Sequence, residues 1–591
     1  MSTSAHAQRQ QKMQVAEELL FAGPRKLGIA KALFEGRFVA EWVIPYPRLS
    51  GEQAVKLAAF LPELRRFVEE ALDPAAIDRK ADIPGEVIDG LGRLGVLGMT
   101  APEEFGGRGF SQLAYCRVME EIGGRCASTS VFVNAHHSIG IRALLIFGTP
   151  EQKRRWLPPL VNGEQLAAFA LTEREAGSDA ANVQTRAEPD ADGSHFILNG
   201  EKRYITNAAI ARVLTVMART PVAGTNRTEI TAFLVTPEMP GFEMVESRME
   251  KLGIRGTATG RLAFHDMPVP RENILGPMGK GLQVALTVLD FGRTTFGACC
   301  TGAAKTSLRL ATQHASSRRQ FGRALCEFEL VKKKIARMTA LTYAMEAMTT
   351  VTASLIDRGL EDMMLETAML KVFTTEALWE IVNDAFQIHG GAAYFTDLPL
   401  ERMLRDARIN QIGEGANEVL TSFIALVGMR GPGVELREVW ETLHHPSSAG
   451  LRKAWRIGLG HAGAAVRPAE VPVQSPETVP FAQQLARLVR HFHVTVDREL
   501  IRHREAILDR QFVQERIAGV AIELFASACV LSRWDAELQR GAADSANARL
   551  FMRMSFRRSH RLLNDLRDND DEALIAAAEA ALARGTGSDF R

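Results

Sequence analysis

Cysteine is scarce and scattered: Cys116, Cys126, Cys299, Cys300, Cys326 and Cys529 are the only six in 591 residues, and no two form a CxxC pair. That pattern argues against a disulfide frame or a zinc ribbon and fits thiols kept reduced in the cytoplasm. An excess of charge of one sign is also missing, since 71 Lys plus Arg face 70 Asp plus Glu. Nucleic-acid binders usually carry a basic surplus, so no nucleic acid is expected as a partner. The opening stretch, MSTSAHAQRQQKMQVAEELL, has no apolar core of signal-peptide type, and no uninterrupted apolar run of spanning length is evident beyond it. There is no Walker A loop and no HExxH motif, which removes most support for nucleotide hydrolysis and metalloprotease chemistry. GLGRLG (90–95) and GLGHAG (458–463) match GxGxxG, but neither follows a strand; the first lies in a helical pattern and the second in an irregular one. His136 and His137 lack partners at ligand spacing, so they read as packing or hydrogen-bonding residues, and no metal is expected.

What is present divides the chain. At 46% hydrophobic residues, 591 residues are too many for one core and enough for several. After an N-terminal extension (1–50), residues 51–163 show helical spacing with Gly/Pro breaks, as in GEQAVKLAAFLPELRRFVEEAL. Over 164–273 the period shifts toward two: HFILNGEKRYIT, RVLTVMART, EITAFLVTP and GRLAFHDMPVP read as strands of a middle β domain, barrel- or sandwich-like. From 274 to 435 helices starting near Leu282, Leu330, Leu365 and Asn417 predict a four-helix bundle. RPAEVPVQSPETVP marks the end of a linker (436–480), and a further α-helical domain follows (481–591). The fold class is therefore α+β and multidomain.

Four stretches invite a ligand. FALTEREAGSDAANVQT (169–185) joins an apolar strand to a turn of small residues whose hydroxyls and N–H groups suit a planar, hydrogen-bonding group, or simply form a turn. KRYITN places Tyr204 and Thr206 two apart on one strand face, for a ligand or for the core. SSRRQFG (316–322) sets two arginines beside an aromatic and a glycine, either a diphosphate grip or a solvated helix end. QIHGGAAY (387–394) closes a helix with two glycines, a common stop with or without function. QIGEGANEVL (411–420) puts one carboxylate, Glu414, between glycines at a helix entrance, where the macrodipole alone favours acid.

Taken in order, these motifs resemble the acyl-CoA dehydrogenases over about residues 51–435; NAHHSIG…LLIFGTPEQKRRWLPPL and the helical tail look most like the very-long-chain branch. The resemblance implies FAD as cofactor and dehydrogenation of acyl-CoA to trans-2-enoyl-CoA, the first step of fatty acid β-oxidation, with electrons passed to an electron-transfer flavoprotein. It implies FAD contacts from Phe169, Leu171, Thr172, Gly177, Ser178, Tyr204 and Thr206. Further FAD contacts, reaching a neighbouring subunit, fall to Arg318, Gln320, Phe321, Phe328, Gln387, Gly390 and Gly391, so a homo-oligomer, a dimer, is expected. Ala416 and Asn417 would also border the cofactor. Ser178, Asp290, Phe291, Arg293 and Gly415 would meet the substrate.

The same resemblance makes Glu414 the base that takes the α-proton. Some branches carry the base at the position of Gly292 instead, and glycine cannot serve. Gly413 and Ala416 depart from the family's usual aromatic and threonine. Two alternatives stay open: an acyl-CoA oxidase on the same scaffold, and a flavin-binding assembly protein with secondary catalysis. LRKAWRIGL (451–459) is a basic amphipathic piece, either a solvated loop or a peripheral contact with the inner face of a membrane.

Overall fold

The computed structural model describes residues 27–444, 448–542 and 544–585; the N-terminal stretch read above for a signal sequence lies outside them. Two compact units share the chain: Pro47–Asn417 makes the body of the first, and Leu27–Tyr46 joins the residues after Glu418 in the second. The first helix, α1 (Ile29–Phe34), belongs to the second unit.

The first unit opens with helices α2 (Gly51–Ala71), α3 (Pro74–Lys80), α4 (Gly85–Arg93), α5 (Gln112–Arg125) and α6 (Ala127–Val133). In α2, Leu57, Phe60, Leu64 and Val68 recur at spacings of three and four and are buried, which is the stripe that docks an amphipathic helix. A π-helical stretch, Asn134–Ile141, then carries the chain into α7 (Arg142–Phe147) and α8 (Pro150–Val161). The middle segment is an eight-stranded sheet in the order β6-β7-β3-β2-β4-β5-β8, with β1 parallel to β4. These strands are β1 (Ala167–Ala170), β2 (Arg186–Pro189), β3 (His195–Ile205), β4 (Val213–Pro221), β5 (Thr228–Val235), β6 (Phe242–Glu246), β7 (Gly260–Pro270) and β8 (Ile274–Leu275). The four strands expected from alternation are β3, β4, β5 and β7.

The third segment is built on α9 (Gly281–Ser317), which packs against α5, α10 (Glu329–Asp357) and α11 (Met364–His389). Glycines permit that packing: a Cβ on Gly302 would sit 2.0 Å from the Glu120 carbonyl, and one on Gly123 would sit 2.6 Å from Cys299 Cα. A short hairpin, β9 (Arg319–Gln320) and β10 (Arg323–Ala324), separates α9 from α10, and α12 (Leu400–Arg408) precedes the Glu414 loop.

The second unit contains α13 (Asn417–His444, entered at Glu418), α14 (Ser448–Val466), α15 (Val479–His503), α16 (Gln511–Leu538), α17 (Ala546–Asp565) and α18 (Asp571–Gly585). Part of the expected linker is thus helical: α14 fills its centre, and among its described residues only 467–478 lack regular structure. GLGHAG lies inside α14 and not in an irregular stretch, because its Ala, Leu and His neighbours keep it helical despite three glycines.

Three helical stretches, Ala127–Phe147, Asn417–Thr442 and Gln511–Leu538, are long and apolar enough to cross a membrane by length and composition. This corrects the sequence reading, which weighed uninterrupted runs and overlooked apolar stretches broken by a few polar residues. Burial inside the protein takes up 89% of the Gln511–Leu538 window and 61% of Ala127–Phe147, against 39% of Asn417–Thr442. The first two are core helices.

Candidate active site

The loop after α12 turns sharply at Glu414, a non-glycine residue with φ of 56°, followed by Gly415 at φ 99°. A left-handed conformation costs a side-chain-bearing residue free energy, so the surroundings must impose it. They do so from below. The Lys371 ammonium, fully buried on α11, donates to the Gly415 carbonyl at 2.7 Å and to Asn417 Oδ1 at 2.8 Å. Arg293 Nε on α9 donates to the Glu414 carbonyl at 3.3 Å, and its Nη1 reaches Asp290 Oδ1 at 3.2 Å. Asp290 also accepts from Thr367 at 2.8 Å, and burial pushes its carboxyl up to about 6 against the pull of Arg293.

The Glu414 side chain points inward, although the loop backbone is partly exposed. Asn134 Nδ2 donates to Oε1 at 2.8 Å, while Oε2 is buried and accepts no hydrogen bond among the described residues. Burial raises the carboxyl to about 7, although Arg293, Lys371 and Asn134 pull the other way. A carboxylate poised near neutrality and holding a free lone pair is suited to accept a proton. Gly292 lies directly beneath: a Cβ there would be 2.8 Å from Glu414 Oε2 and 3.1 Å from Ile139. The position where other branches carry the base is thus sterically filled by Glu414 and Ile139. Gly413 has room for a side chain, with only the Ile409 carbonyl within 4 Å of a Cβ, at 3.6 Å.

A second group of expected residues gathers where β1 leads into its loop. Gly140 of the π-helical stretch packs its Cα against Ala167 of β1, so the stretch that supplies Asn134 and Ile139 to Glu414 also supports this loop. The Arg203 N–H donates to the Thr172 carbonyl at 3.0 Å, which brings Phe169, Leu171 and Thr172 beside Tyr204. The same-face argument for Tyr204 and Thr206 does not survive. β3 ends at Ile205, its pairing with β7 shifts register between Lys202 and Ile205, and Tyr204 has φ of 60°. The bulge breaks the period of two and turns the Tyr204 ring outward, 56% exposed beneath the Arg203 guanidinium. Gly177 and Ser178 lie exposed, with nothing within 4 Å of where a Cβ on Gly177 would sit.

Sequence reasoning missed what holds this loop. Lys202 and Glu173, both buried, pair at 2.6 Å, and Lys202 also donates to the Leu171 carbonyl at 3.1 Å. Glu173 takes Thr185 Oγ1 at 2.6 Å and the Gln184 N–H at 2.5 Å. Burial pulls Lys202 down to about 8; it also opposes ionisation of Glu173, but Lys202, Thr185 and Gln184 together hold that carboxyl below its usual range. The E in "LTE" and the K in "KRYITN" were visible, but their pairing across 29 residues is tertiary. Asn134 and Lys371 were missed for the same reason.

A third group lies at the other end of α11. SSRRQFG is neither a plain helix end nor a loop: Arg318 caps α9, Gln320 is in β9, and Phe321 occupies the hairpin turn at φ 49° with Gly322 at 79°. Phe321 is 93% exposed and meets Phe328 edge-on at 6.2 Å. His314 near the end of α9 stacks on His389 at the end of α11, at 4.3 Å, so this hairpin neighbours exposed Gln387, Gly390 and Gly391. From Lys371 under the base to Gln387 the helix rises roughly 24 Å. This group therefore does not gather round Glu414. Of the remaining expectations, Ala416 is half-buried in the loop, and Asn417 is engaged by Lys371, Thr375 and Glu376. Phe291 lies under the Arg142 guanidinium at 4.4 Å. His136 and His137 are buried hydrogen-bonding residues, bonded to the Ala167 and Thr100 N–H groups respectively, each at 3.0 Å.

An open aromatic ring, an uncovered Gly177–Ser178 turn and a loop pinned by a buried ion pair fit a large planar cofactor better than a closed core. Known proteins agree. Residues 56–164, 168–267 and 279–428 match the N-terminal, middle and C-terminal domains of acyl-CoA dehydrogenase, and 476–584 match the ACAD9/ACADV C-terminal domain. The chain is 34% identical to the mitochondrial very long-chain specific acyl-CoA dehydrogenase of Mus musculus, over 87% of this chain and 79% of that one. A crystal structure of an acyl-CoA dehydrogenase complexed with FAD from Bacillus anthracis is 26% identical with a TM-score of 0.75, covering 92% of this chain and 94% of that one. A structure described as the electron transferring flavoprotein of Acidaminococcus fermentans is 33% identical with a TM-score of 0.61, covering 65% and 100%. The chain belongs to the acyl-CoA dehydrogenase family and is an FAD-dependent oxidoreductase.

Proposed function

We propose that this enzyme oxidises long-chain acyl-CoA thioesters to trans-2-enoyl-CoA, with Glu414 as the base and an electron-transfer flavoprotein as acceptor. The observation that carries the reading is the Glu414 carboxyl, with one oxygen held by Asn134 and the other buried beside Gly292 and, among the described residues, unpartnered. The α C–H bond breaks and its proton passes to Glu414 Oε2. The β C–H bond breaks as a hydride leaves, and the two carbons form the double bond. FAD, when bound, supplies the hydride acceptor. Arg293 and Lys371 fix the strained loop so that the carboxylate needs no rearrangement at the moment of transfer, and burial matches its proton affinity to neutral pH.

By the family resemblance, Phe169, Leu171, Thr172, Gly177, Ser178, Tyr204 and Thr206 are proposed to hold the cofactor. Arg318, Gln320, Phe321, Phe328, Gln387, Gly390 and Gly391 are proposed to reach the cofactor of a second copy, a reading supported by their distance from Glu414 and by exposed Phe321, Leu330, Tyr394 and Phe395. Long-chain preference rests on the likeness to the mouse very long-chain enzyme, and the acceptor on the likeness to the Acidaminococcus structure. A cytoplasmic location is proposed from the scattered, unpaired cysteines, and peripheral membrane contact is supported by α14. Trp455, Leu459 and Val466 lie along one exposed stripe of this helix, near Arg452 and Arg456.

Palmitoyl-CoA added anaerobically to the yellow purified protein should bleach the flavin absorbance. No bleaching with any acyl-CoA overturns the reading and favours an assembly role. Hydrogen peroxide formed without added acceptor favours an oxidase, and a maximum with butyryl-CoA removes the long-chain assignment.

A further inference from the structure

In the second unit two histidines and an aspartate converge. His461 comes from α14, and His493 and Asp497 stand one turn apart on α15. Their side-chain donor atoms all lie within 4.8 Å of one another: His461 Nδ1 is 2.6 Å and His493 Nε2 is 3.6 Å from Asp497 Oδ2.

The far nitrogen of each ring is already committed. His493 Nδ1 donates to the Phe34 carbonyl at 3.0 Å, which fixes the tautomer and leaves the Nε2 lone pair facing Asp497. That Nε2 is buried and has no hydrogen-bond partner among the described residues, on a residue only 2% exposed. His461 Nε2 donates to Glu435 Oε2 at 2.9 Å, turning Nδ1 toward the same point. An imidazole whose outer N–H is anchored to a carbonyl or carboxylate, with its inner nitrogen turned to a shared centre, is the arrangement that orients metal ligands. The absence of a side chain at Gly36 eases the approach of the segment holding Phe34. A Cβ there would lie 3.0 Å from the His493 ring, and its φ is 70°. Asp497 Oδ1 is also buried and without a partner among the described residues, and Glu35 and Glu435 add negative charge nearby.

The geometry points to a divalent transition-metal site, zinc by preference, with His461 Nδ1, His493 Nε2 and Asp497 as its ligands and water completing the tetrahedron. Two nitrogens and one carboxylate oxygen suit zinc, whose ligand bonds of about 2.0–2.2 Å place donors roughly 3.3 Å apart. Reaching that value means opening the 2.6 Å His461–Asp497 separation and drawing the wider ones, none above 4.8 Å, inward by side-chain shifts. The ion clips α14, α15 and the Leu27–Tyr46 segment together within the second unit.

The full-length, FAD-loaded protein, stripped with chelator and dialysed against micromolar Zn²⁺, should retain one zinc per chain by elemental analysis and melt at a higher temperature. Co²⁺ should give the visible absorption of a tetrahedral site. Asp497→Asn, which keeps size, and His493→Gln should each weaken zinc binding at least tenfold. The Co²⁺ spectrum and the zinc count need no variant, so the test stands even if His493→Gln misfolds. Failure to retain zinc, retention undiminished in Asp497→Asn, or tighter uptake of Ca²⁺ or Mg²⁺ than Zn²⁺ overturns the assignment.

Discussion

Glu173 and Glu414 are both carboxylates withdrawn from water in the same compact unit, yet their proton affinities move in opposite directions. Glu173 meets an ammonium, a hydroxyl and backbone N–H groups, and its carboxyl is held low although burial works against it. Glu414 meets one amide through one oxygen, its cationic neighbours Arg293 and Lys371 donate to backbone carbonyls instead, and it rises to about 7. Burial alone does not decide what a carboxylate does; the count of donors on its own oxygens does. The satisfied glutamate fastens a loop, and the under-satisfied one is free to take a proton.

The largest effect on this contrast comes from removing the carboxylate proposed as the base. Glu414→Gln should keep FAD and fold but lose at least ~10²-fold in the rate of flavin bleaching by acyl-CoA, measured by anaerobic stopped flow. Undiminished bleaching would return the base to an unassigned residue. Lys202→Met should act oppositely: it leaves Glu173 buried without its cation, costing about 3–5 kcal/mol of stability. A lowered melting temperature with loss of bound FAD is expected, and an unchanged melt would show that the pair does not hold the loop.

The pH response separates the two as well. With its proton affinity raised, Glu414 favours the fold below the ordinary carboxylate value of 4.5, and that contribution is lost as pH rises through about 7. Glu173 is depressed, so its contribution is full above 4.5 and lost as pH falls through its lowered value. The rate of proton abstraction should therefore fall below about pH 7 while the fold persists, and Glu414→Gln should melt higher than the native protein at pH 8 but not at pH 4.5. A flat rate profile from pH 6 to 8 would contradict the raised value.

The smallest expected change is at Asn134. Asn134→Ala removes the one donor to Glu414, so the acidic limb of the rate profile should move up by about one pH unit. A uniform loss of rate with no shift in that limb would make Asn134 a packing residue only.

Period and punctuation in the chain already gave the succession of helical, β and helical segments: α2 has its stripe at Leu57, Phe60, Leu64 and Val68, and β4 and β5 have their β-branched runs. Motifs in order also made Glu414 and the Phe169–Ser178 stretch candidates before any coordinates. Local pattern failed where a residue's conformation answers to distant partners. Tyr204 leaves its strand face because a bulge forms against β7, and α14 fills the centre of a stretch read as a linker from the prolines at its end. The partners that give Glu414 and Glu173 opposite behaviour come from 280 residues away for Asn134 and 29 for Lys202. Sequence by itself determined which elements form and which residue types are available, because these follow from short-range sterics and the burial of apolar stripes. Only the tertiary structure decided which carboxylate is satisfied and which is left with a lone pair, because desolvation and hydrogen-bond count depend on groups that folding brings together.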